Sequence, residues 1–508
     1  MCGVVGIVSS QPVSQEIYDA LLVLQHRGQD SAGIVTVTSS EDRCYMRKDN
    51  GLVSEVFRQK DIDTLRGNIG LGHNRYPTAG SASSLESQPM YVNSPHGIFM
   101  AHNGNLTNTK ELRRFYFRDV MRHINTASDS ETLLNVFANE LALSASKTVD
   151  PSHIFEAVRG VNAVCRGAYA AVALIVGGGI VGFRDPRGIR PLVVGCRRNA
   201  TNDYMIASES AALHVLGYDI VRDVRAGEAI YIDENGHMHS EICASETQLT
   251  PCIFEHVYLA RPDSVIDDIS VYKARLRMGD KLADQVLNCF SQKGHDIDVV
   301  IPIPETSRTA AIPVAHRLDV KLREGFVKNR YIGRTFIMPG QSMRRKSVRQ
   351  KLNAIRLEFE NKNVLLIEDS VVRGTTLHEI VQQARDAGAN KVYVGVAAPP
   401  VRYPNVFGID MPTSEEFIAN DRTEEQIARI INADMLVYQT LDDLIDSARE
   451  GNPTVDGFEC SIFDGHYNCI DVNEDYLLEL SDHRNDTSKT QRDLESSQES
   501  SLFELQGS

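Results

Sequence analysis

Two places in the chain bring together residues that could do chemistry. Cys2 directly follows Met1. Removal of the initiator methionine would leave a cysteine with both a thiol and a free α-amine. That amine, with an unperturbed pKa of roughly 8, can serve as the local base for its own thiol. The second place is Val364-Leu-Leu-Ile-Glu-Asp-Ser-Val-Val-Arg-Gly-Thr-Thr376, an apolar run of strand length that ends in two carboxylates and a small-residue loop. Leu377, Ile380, Val381 and Ala384 follow at helical spacing, with Gly388 where a C-terminal cap would fall. A strand–loop–helix of this kind aims backbone N–H groups and the positive end of a helix dipole at one spot. Gly374 permits close approach, Thr375 and Thr376 add hydroxyls, and Glu368 with Asp369 suits vicinal ribose hydroxyls or magnesium. A phosphate beside a sugar diol describes a phosphorylated ribose. Out of context, Cys2 could be incidental and the two acids could merely cap the next helix.

The loop gains its context from the rest of the chain. Val364 to Thr376 resembles the fingerprint of type I phosphoribosyltransferases, except that Glu368 stands where the family usually has a first aspartate. The change keeps the charge and lengthens the arm. Pro302-Ile-Pro-Glu-Thr-Ser-Arg308 resembles that family's pyrophosphate loop. The resemblance implies phosphoribosylpyrophosphate contacts from Glu305, Thr306, Ser307, Arg308, Glu368, Asp369, Ser370, Val372, Arg373, Gly374, Thr375 and Thr376. It implies magnesium, one per subunit, at Thr306, Glu368 and Asp369. Between the loops lie Lys328, Arg330, Arg334, Arg344, Arg345, Lys346, Arg349 and Lys351. In an acidic chain this basic stretch reads as a lid over a polyanionic substrate, with Lys328 and Arg330 nearest the departing pyrophosphate.

Around Cys2 the pattern is equally ordered. Cys2-Gly-Val-Val-Gly-Ile-Val8 is followed by Gln25-His-Arg-Gly-Gln-Asp-Ser-Ala-Gly33, Gly72-His-Asn-Arg-Tyr-Pro-Thr-Ala-Gly80, Ala101-His-Asn-Gly-Asn105 and Ser128-Asp-Ser-Glu131. These resemble the glutamine-amidotransferase domain of the N-terminal-nucleophile class. The resemblance implies Cys2 as nucleophile, with Asn103 and Gly104 as an oxyanion hole. Arg75 would grip the glutamine carboxylate, Asp129 the α-ammonium, and Arg27 and Thr78 would belong to the glutamine site. Read singly, Asn103-Gly104 could be a hairpin turn, Asp129 a helix-terminus charge and Arg75 a surface ion pair.

The elements that must position these residues change along the chain. Residues 2–240 are rich in short β-type runs with helices between them, which predicts antiparallel sheets covered by helices. Ser14 is expected to cap a helix, and Ser128 with Glu131 to form a capping box. From 250 the pattern alternates helix and strand, giving a parallel sheet, and 415–450 reads as helices, with Thr423 and Gln426 as another box. Residues 482–508 are polar and acidic and read as disordered. The fold class expected is therefore an αββα sandwich glutaminase (2–240) followed by a type I phosphoribosyltransferase domain with a helical extension (250–450). Phe254-Glu-His-Val-Tyr-Leu-Ala-Arg-Pro-Asp-Ser264 resembles the junction between such halves.

The chain has 508 residues, a net charge of −15 and nine scattered cysteines. This balance speaks against nucleic acid or anionic membrane as partner, and for reduced thiols in a cytoplasmic protein. Taken together the motifs resemble the family of glutamine-dependent phosphoribosylpyrophosphate amidotransferases, which open purine synthesis. That resemblance implies ammonia made at Cys2 and passed to a second site, inhibition by purine nucleotides, and a homodimer or homotetramer. Some members bind an iron–sulfur cluster through four cysteines. Here Pro404-Asn-Val-Phe407 lacks one of them and Cys460 and Cys469 are not a C-x-x-C pair, so no cluster is expected, and no propeptide. Other amidotransferases would need a sugar-isomerase or ATP-binding second half, and a purine-sensing regulator would have no use for Cys2.

Overall fold

The computed structural model describes residues 1–38, 43–76, 84–144, 149–199, 202–290, 294–329 and 352–484. In the first half, a seven-stranded antiparallel sheet is centred on Gly3–Val8, which lies between Ile69–Arg75 and Tyr204–Ala207. A six-stranded antiparallel sheet has Gly167–Ile175 paired with Ile98–Leu106 on one side and Gly179–Arg184 on the other. Strand side chains alternate between faces. Val4 and Val8 accordingly pack with Ala170, Val172 and Leu174 between the sheets. Val5 and Ile7 meet Ile17 and Leu21 of the helix Ser14–Val23 on the outside. The helices Asp129–Leu143 and Pro151–Val164 cover the outer face of the second sheet. The layers run helix, sheet, sheet, helix, as the sequence led one to expect.

The second half is a five-stranded parallel sheet in the order Lys321–Leu322, Val299–Pro302, Asn363–Glu368, Lys391–Val396, Met435–Tyr438. Val364 and Leu366 face the helix Thr375–Asp386, while Leu365 and Ile367 face Val271–Asn288 and Arg308–Arg317. Burial on both faces is why this strand reads as one unbroken apolar run.

Four expectations need correction. Met435–Tyr438 is a sheet strand inside the stretch read as helical. Ser14 is the first helical residue, and the cap position, Val13, makes no side-chain cap bond. Ser128 does cap its helix, but Glu131 bonds the amides of Asn125 and Thr126 rather than closing a box. A helix occupies Glu474–Arg484, so regular structure runs past residue 482, and 485–508 lie outside the described residues. The box at Thr423 and Gln426 is complete.

The two halves meet over a buried apolar cluster that includes Met1, Ile189, Phe254, Val406, Phe407 and Phe463. Gly408 of the second half lies so close to Gly104 that a Cβ there would sit 2.7 Å from the Gly104 carbonyl oxygen.

Candidate active sites

Cys2 opens the central strand of the first sheet and Arg75 ends its neighbour. With Gly104 and Asp129 they line one small polar pocket, together with Tyr76, Gln88, His102, Ser128 and Ser130. Strand pairing fixes Asn103 and Gly104. Asn103 and Gly104 lie within a strand, opposite Ala170 and Tyr169, so the hairpin reading falls. Gly104 has φ +152°, and an added Cβ would sit 2.0 Å from the Ala168 carbonyl oxygen. No side chain fits there. The Cys2 amide donates to Asn103 Oδ1 at 3.1 Å, which leaves Asn103 Nδ2 buried without a partner among the described residues. An orphan buried donor beside a thiol suits an oxyanion.

Arg75 is buried and paired with Glu86 at 2.5 Å, so the surface reading of it falls. Asp129 Oδ2 accepts from the Leu106 amide at 3.1 Å and lies 3.8 Å from His102 Nδ1. Burial pushes the His102 imidazole down, keeping it neutral. Thr78 falls outside the described residues. Arg27 does not line this pocket. It lies behind Cys2, donating to the Cys2 carbonyl at 3.1 Å and pairing with Glu209 and Glu255 at 2.5 and 2.8 Å. Met1 is buried too, and burial pushes its α-amine down to about 5.

The second site sits at the C-terminal ends of two adjacent parallel strands, where ligands of open α/β sheets bind. The loop after Val299–Pro302 and the loop after Asn363–Glu368 share hydrogen bonds: Thr306 Oγ1 donates to Asp369 Oδ2. Ser370 Oγ donates to Asp369 Oδ1 at 2.6 Å, and the Asp369 amide donates to Glu368 Oε1 at 3.1 Å. Burial and the charge of Asp369 push the Glu368 carboxyl well up; burial also raises Asp369, against the pull of these hydroxyls and of Arg275. Gly374 caps the helix Thr375–Asp386 at φ +73°, and an added Cβ would sit 2.1 Å from Ile418 Cδ1.

The remaining predicted residues form the rim. Arg373 pairs with Glu416 at 2.8 Å, Arg308 with Glu324 at 3.2 Å and Lys328 with Glu305 at 3.7 Å. The Ser307 hydroxyl is spent on the Ile303 carbonyl, and Val372 packs its side chain on the interdomain cluster. Arg330 falls outside the described residues. Sequence reasoning missed Gln88 and Arg275, which no local motif marks because each is placed by chain far away, and it passed over Ser130 within the Ser128-Asp-Ser-Glu131 motif.

Among the described residues no three His, Cys, Asp or Glu side chains converge as a metal cage. Glu368, Asp369 and the Thr306 hydroxyl instead offer hard oxygens, and burial disfavours the charge on both carboxylates. That donor set fits magnesium, which keeps waters and takes substrate phosphates for its other positions.

A glutamine amidotransferase domain matches residues 73–215 and a phosphoribosyl transferase domain residues 268–404. Amidophosphoribosyltransferases from Pseudomonas aeruginosa and Escherichia coli are 60% and 56% identical, each over 96% of this chain and 97% of theirs. The chain belongs to the amidophosphoribosyltransferase family. A yeast member, from Saccharomyces cerevisiae, is 47% identical over 99% of both chains. Among solved structures, the glutamine phosphoribosylpyrophosphate amidotransferase of B. subtilis complexed with ADP and GMP superposes with a TM-score of 0.81. It is 34% identical and the match covers 93% of this chain and 98% of that one. The family activity, glutamine-dependent conversion of phosphoribosylpyrophosphate to phosphoribosylamine in purine synthesis, accounts for both pockets in one chain.

Proposed function

We propose that the two pockets divide this reaction as follows. With Met1 removed, the Cys2 amine takes the thiol proton, and the thiolate attacks the side-chain amide of glutamine. Asn103 Nδ2 and the Gly104 amide receive the oxyanion, Arg75 holds the substrate carboxylate and Asp129 its ammonium. Ammonia leaves with the proton, and water cleaves the thioester to give glutamate.

At the second pocket the ammonia nitrogen bonds to C1 of the ribose as the C1–O bond to pyrophosphate breaks. The Gly374 loop and the amides opening Thr375–Asp386 hold the 5-phosphate. Glu368 and Asp369 face the ribose hydroxyls, and Arg308, Lys328 and Arg330 face the pyrophosphate, with Thr78 completing the glutamine side. Magnesium, one per subunit on Thr306, Glu368 and Asp369, would neutralise the leaving group's charge. No protein nucleophile is needed there, so positioning dominates.

The observation that carries this reading is Asn103, whose oxygen holds Cys2 and whose buried amide donor waits for an acceptor. The domain limits 2–240 and 250–450, a homodimer or homotetramer, purine nucleotide inhibition and a cytoplasmic setting belong to the same proposal. So does the absence of an iron–sulfur cluster, since Pro404-Asn-Val-Phe407 holds no cysteine and Cys460 and Cys469 are not a C-x-x-C pair. No helix among the described residues is long and apolar enough to cross a membrane.

The test is pyrophosphate release by wild type and Cys2→Ala with glutamine or with ammonium. The variant should work with ammonium alone. Glutamine-driven release by Cys2→Ala would place the nucleophile elsewhere.

A further inference from the structure

The five-residue π-helical turn Glu255–Leu259 lies in the junction between the halves and lines neither pocket. Turns of this kind forgo good hydrogen-bond geometry and recur at functional positions. Its first residue, Glu255, is 1% exposed and faces two guanidinium groups that are equally buried. Arg27 donates to it twice, at 2.8 and 3.2 Å, and Arg190 stands at 3.4 Å.

Each arginine has a second hold. Arg27 Nε donates to the Cys2 carbonyl at 3.1 Å, and Arg190 Nε to the Phe407 carbonyl at 2.7 Å. Phe407 precedes Gly408, the residue seated against Gly104. One carboxylate thus sets the nucleophile and the transferase segment that presses on the oxyanion-hole glycine. Further along the same turn, Arg275 donates to the carbonyls of His256 and Ala260 at 2.9 and 2.8 Å. The planar guanidinium fork fixes direction as well as distance. Buried charges that lose a partner have no solvent to turn to: without Glu255, Arg27 keeps Glu209 at 2.5 Å, while Arg190 loses the carboxylate at 3.4 Å.

We propose that Glu255 is a positioning residue for glutamine hydrolysis: through Arg27 it sets Cys2, and through Arg190 it seats the Asn405–Asp410 segment of the transferase half against the oxyanion hole. Arg275 ties the same turn to the back of the ribose-phosphate site. Glu255 touches no substrate, and its effect is confined to the glutamine route. This rests on the two-pocket reading above.

The test compares Glu255→Gln and Glu255→Asp with wild type for pyrophosphate and glutamate release, using glutamine and then ammonium. In Glu255→Gln the glutamine-driven kcat should fall about tenfold or more and glutamine KM should rise, while ammonium-driven release stays within about twofold. Glutamate formed per pyrophosphate should rise above parity as the halves lose register. Glu255→Asp keeps the charge on a shorter arm and should recover part of the loss, which also keeps the test open if the Gln variant folds poorly. A parallel fall of both routes would overturn the positioning role, as would full glutamine activity in Glu255→Gln. Wild type that released pyrophosphate with neither nitrogen source would overturn the two-pocket reading, and the positioning role with it.

Discussion

The glutamine pocket and the ribose-phosphate pocket meet their electrostatic needs differently. Around Cys2 the arginines are answered from within the chain: Arg75 by Glu86, Arg27 by Glu209 and Glu255. Asn103 and Gly104, the proposed oxyanion donors, are locked by strand pairing inside a sandwich. At the transferase site, burial pushes both the Glu368 and the Asp369 carboxyl up, Asp369 against the pull of Arg275. The rim cations Arg308, Arg373 and Lys328 rest on glutamates that are themselves partly exposed. The first site is set in advance for a charge that develops during reaction. The second leaves places for ligands that arrive already charged, a cation for the acids and phosphates for the rim.

This contrast orders the effects of substitution. Asn103→Ala removes a fixed donor and should cut glutamine-driven kcat by about 100- to 1,000-fold with ammonium-driven release retained. Steady-state rates with the two nitrogen sources measure it, and equal loss in both would erase the distinction between the sites. Asp369→Asn should lower pyrophosphate release by about 100-fold whichever nitrogen is supplied, because the deficit is in the acceptor. Glutamine hydrolysis lost to the same extent would show that Asp369 serves both pockets. Gly374→Ala forces a left-handed residue and pushes on Ile418, a cost of about 1–2 kcal/mol. It should appear as a raised KM for phosphoribosylpyrophosphate and a lower melting temperature, with glutamine KM unmoved.

The last effect concerns the junction. Burial pushes the His256 imidazole down from 6.5 to about 4, and its ring nitrogens have no partner among the described residues. Between those pH values the unfolded chain binds the extra proton, so this histidine's contribution is intact above 6.5 and is lost as pH falls towards 4. At pH 5 the loss is about 2 kcal/mol. Denaturant titrations at pH 7 and 5 should show that penalty in wild type and not in His256→Leu. An equal acid sensitivity in both would assign it to other groups.

Much of this organisation was legible before the structure. Val364 to Ile367 announced a strand buried on both faces, and from the spaced motifs Cys2, Arg75, Gly104 and Asp129 line one pocket. Met435–Tyr438 was not legible, since a four-residue apolar run inside a helical stretch has no period of its own. The place of Arg27 was misread for a different reason. Its partners Glu209 and Glu255 are 182 and 228 residues away, and no local pattern reports a buried ion pair closed over that distance. Arg275 is hidden in the same way, in a helix whose apolar spacing says nothing of which carbonyls its guanidinium reaches.

If the two pockets divide the reaction as proposed, nitrogen released at Cys2 reaches C1 of the ribose without entering bulk solvent. The direct measurement supplies glutamine labelled with nitrogen-15 in the amide, together with excess unlabelled ammonium, and determines the label in trapped phosphoribosylamine. Product carrying mainly the amide nitrogen is the predicted result. Product whose nitrogen follows the bulk ammonium pool would contradict it, leaving two independent enzymes in one chain.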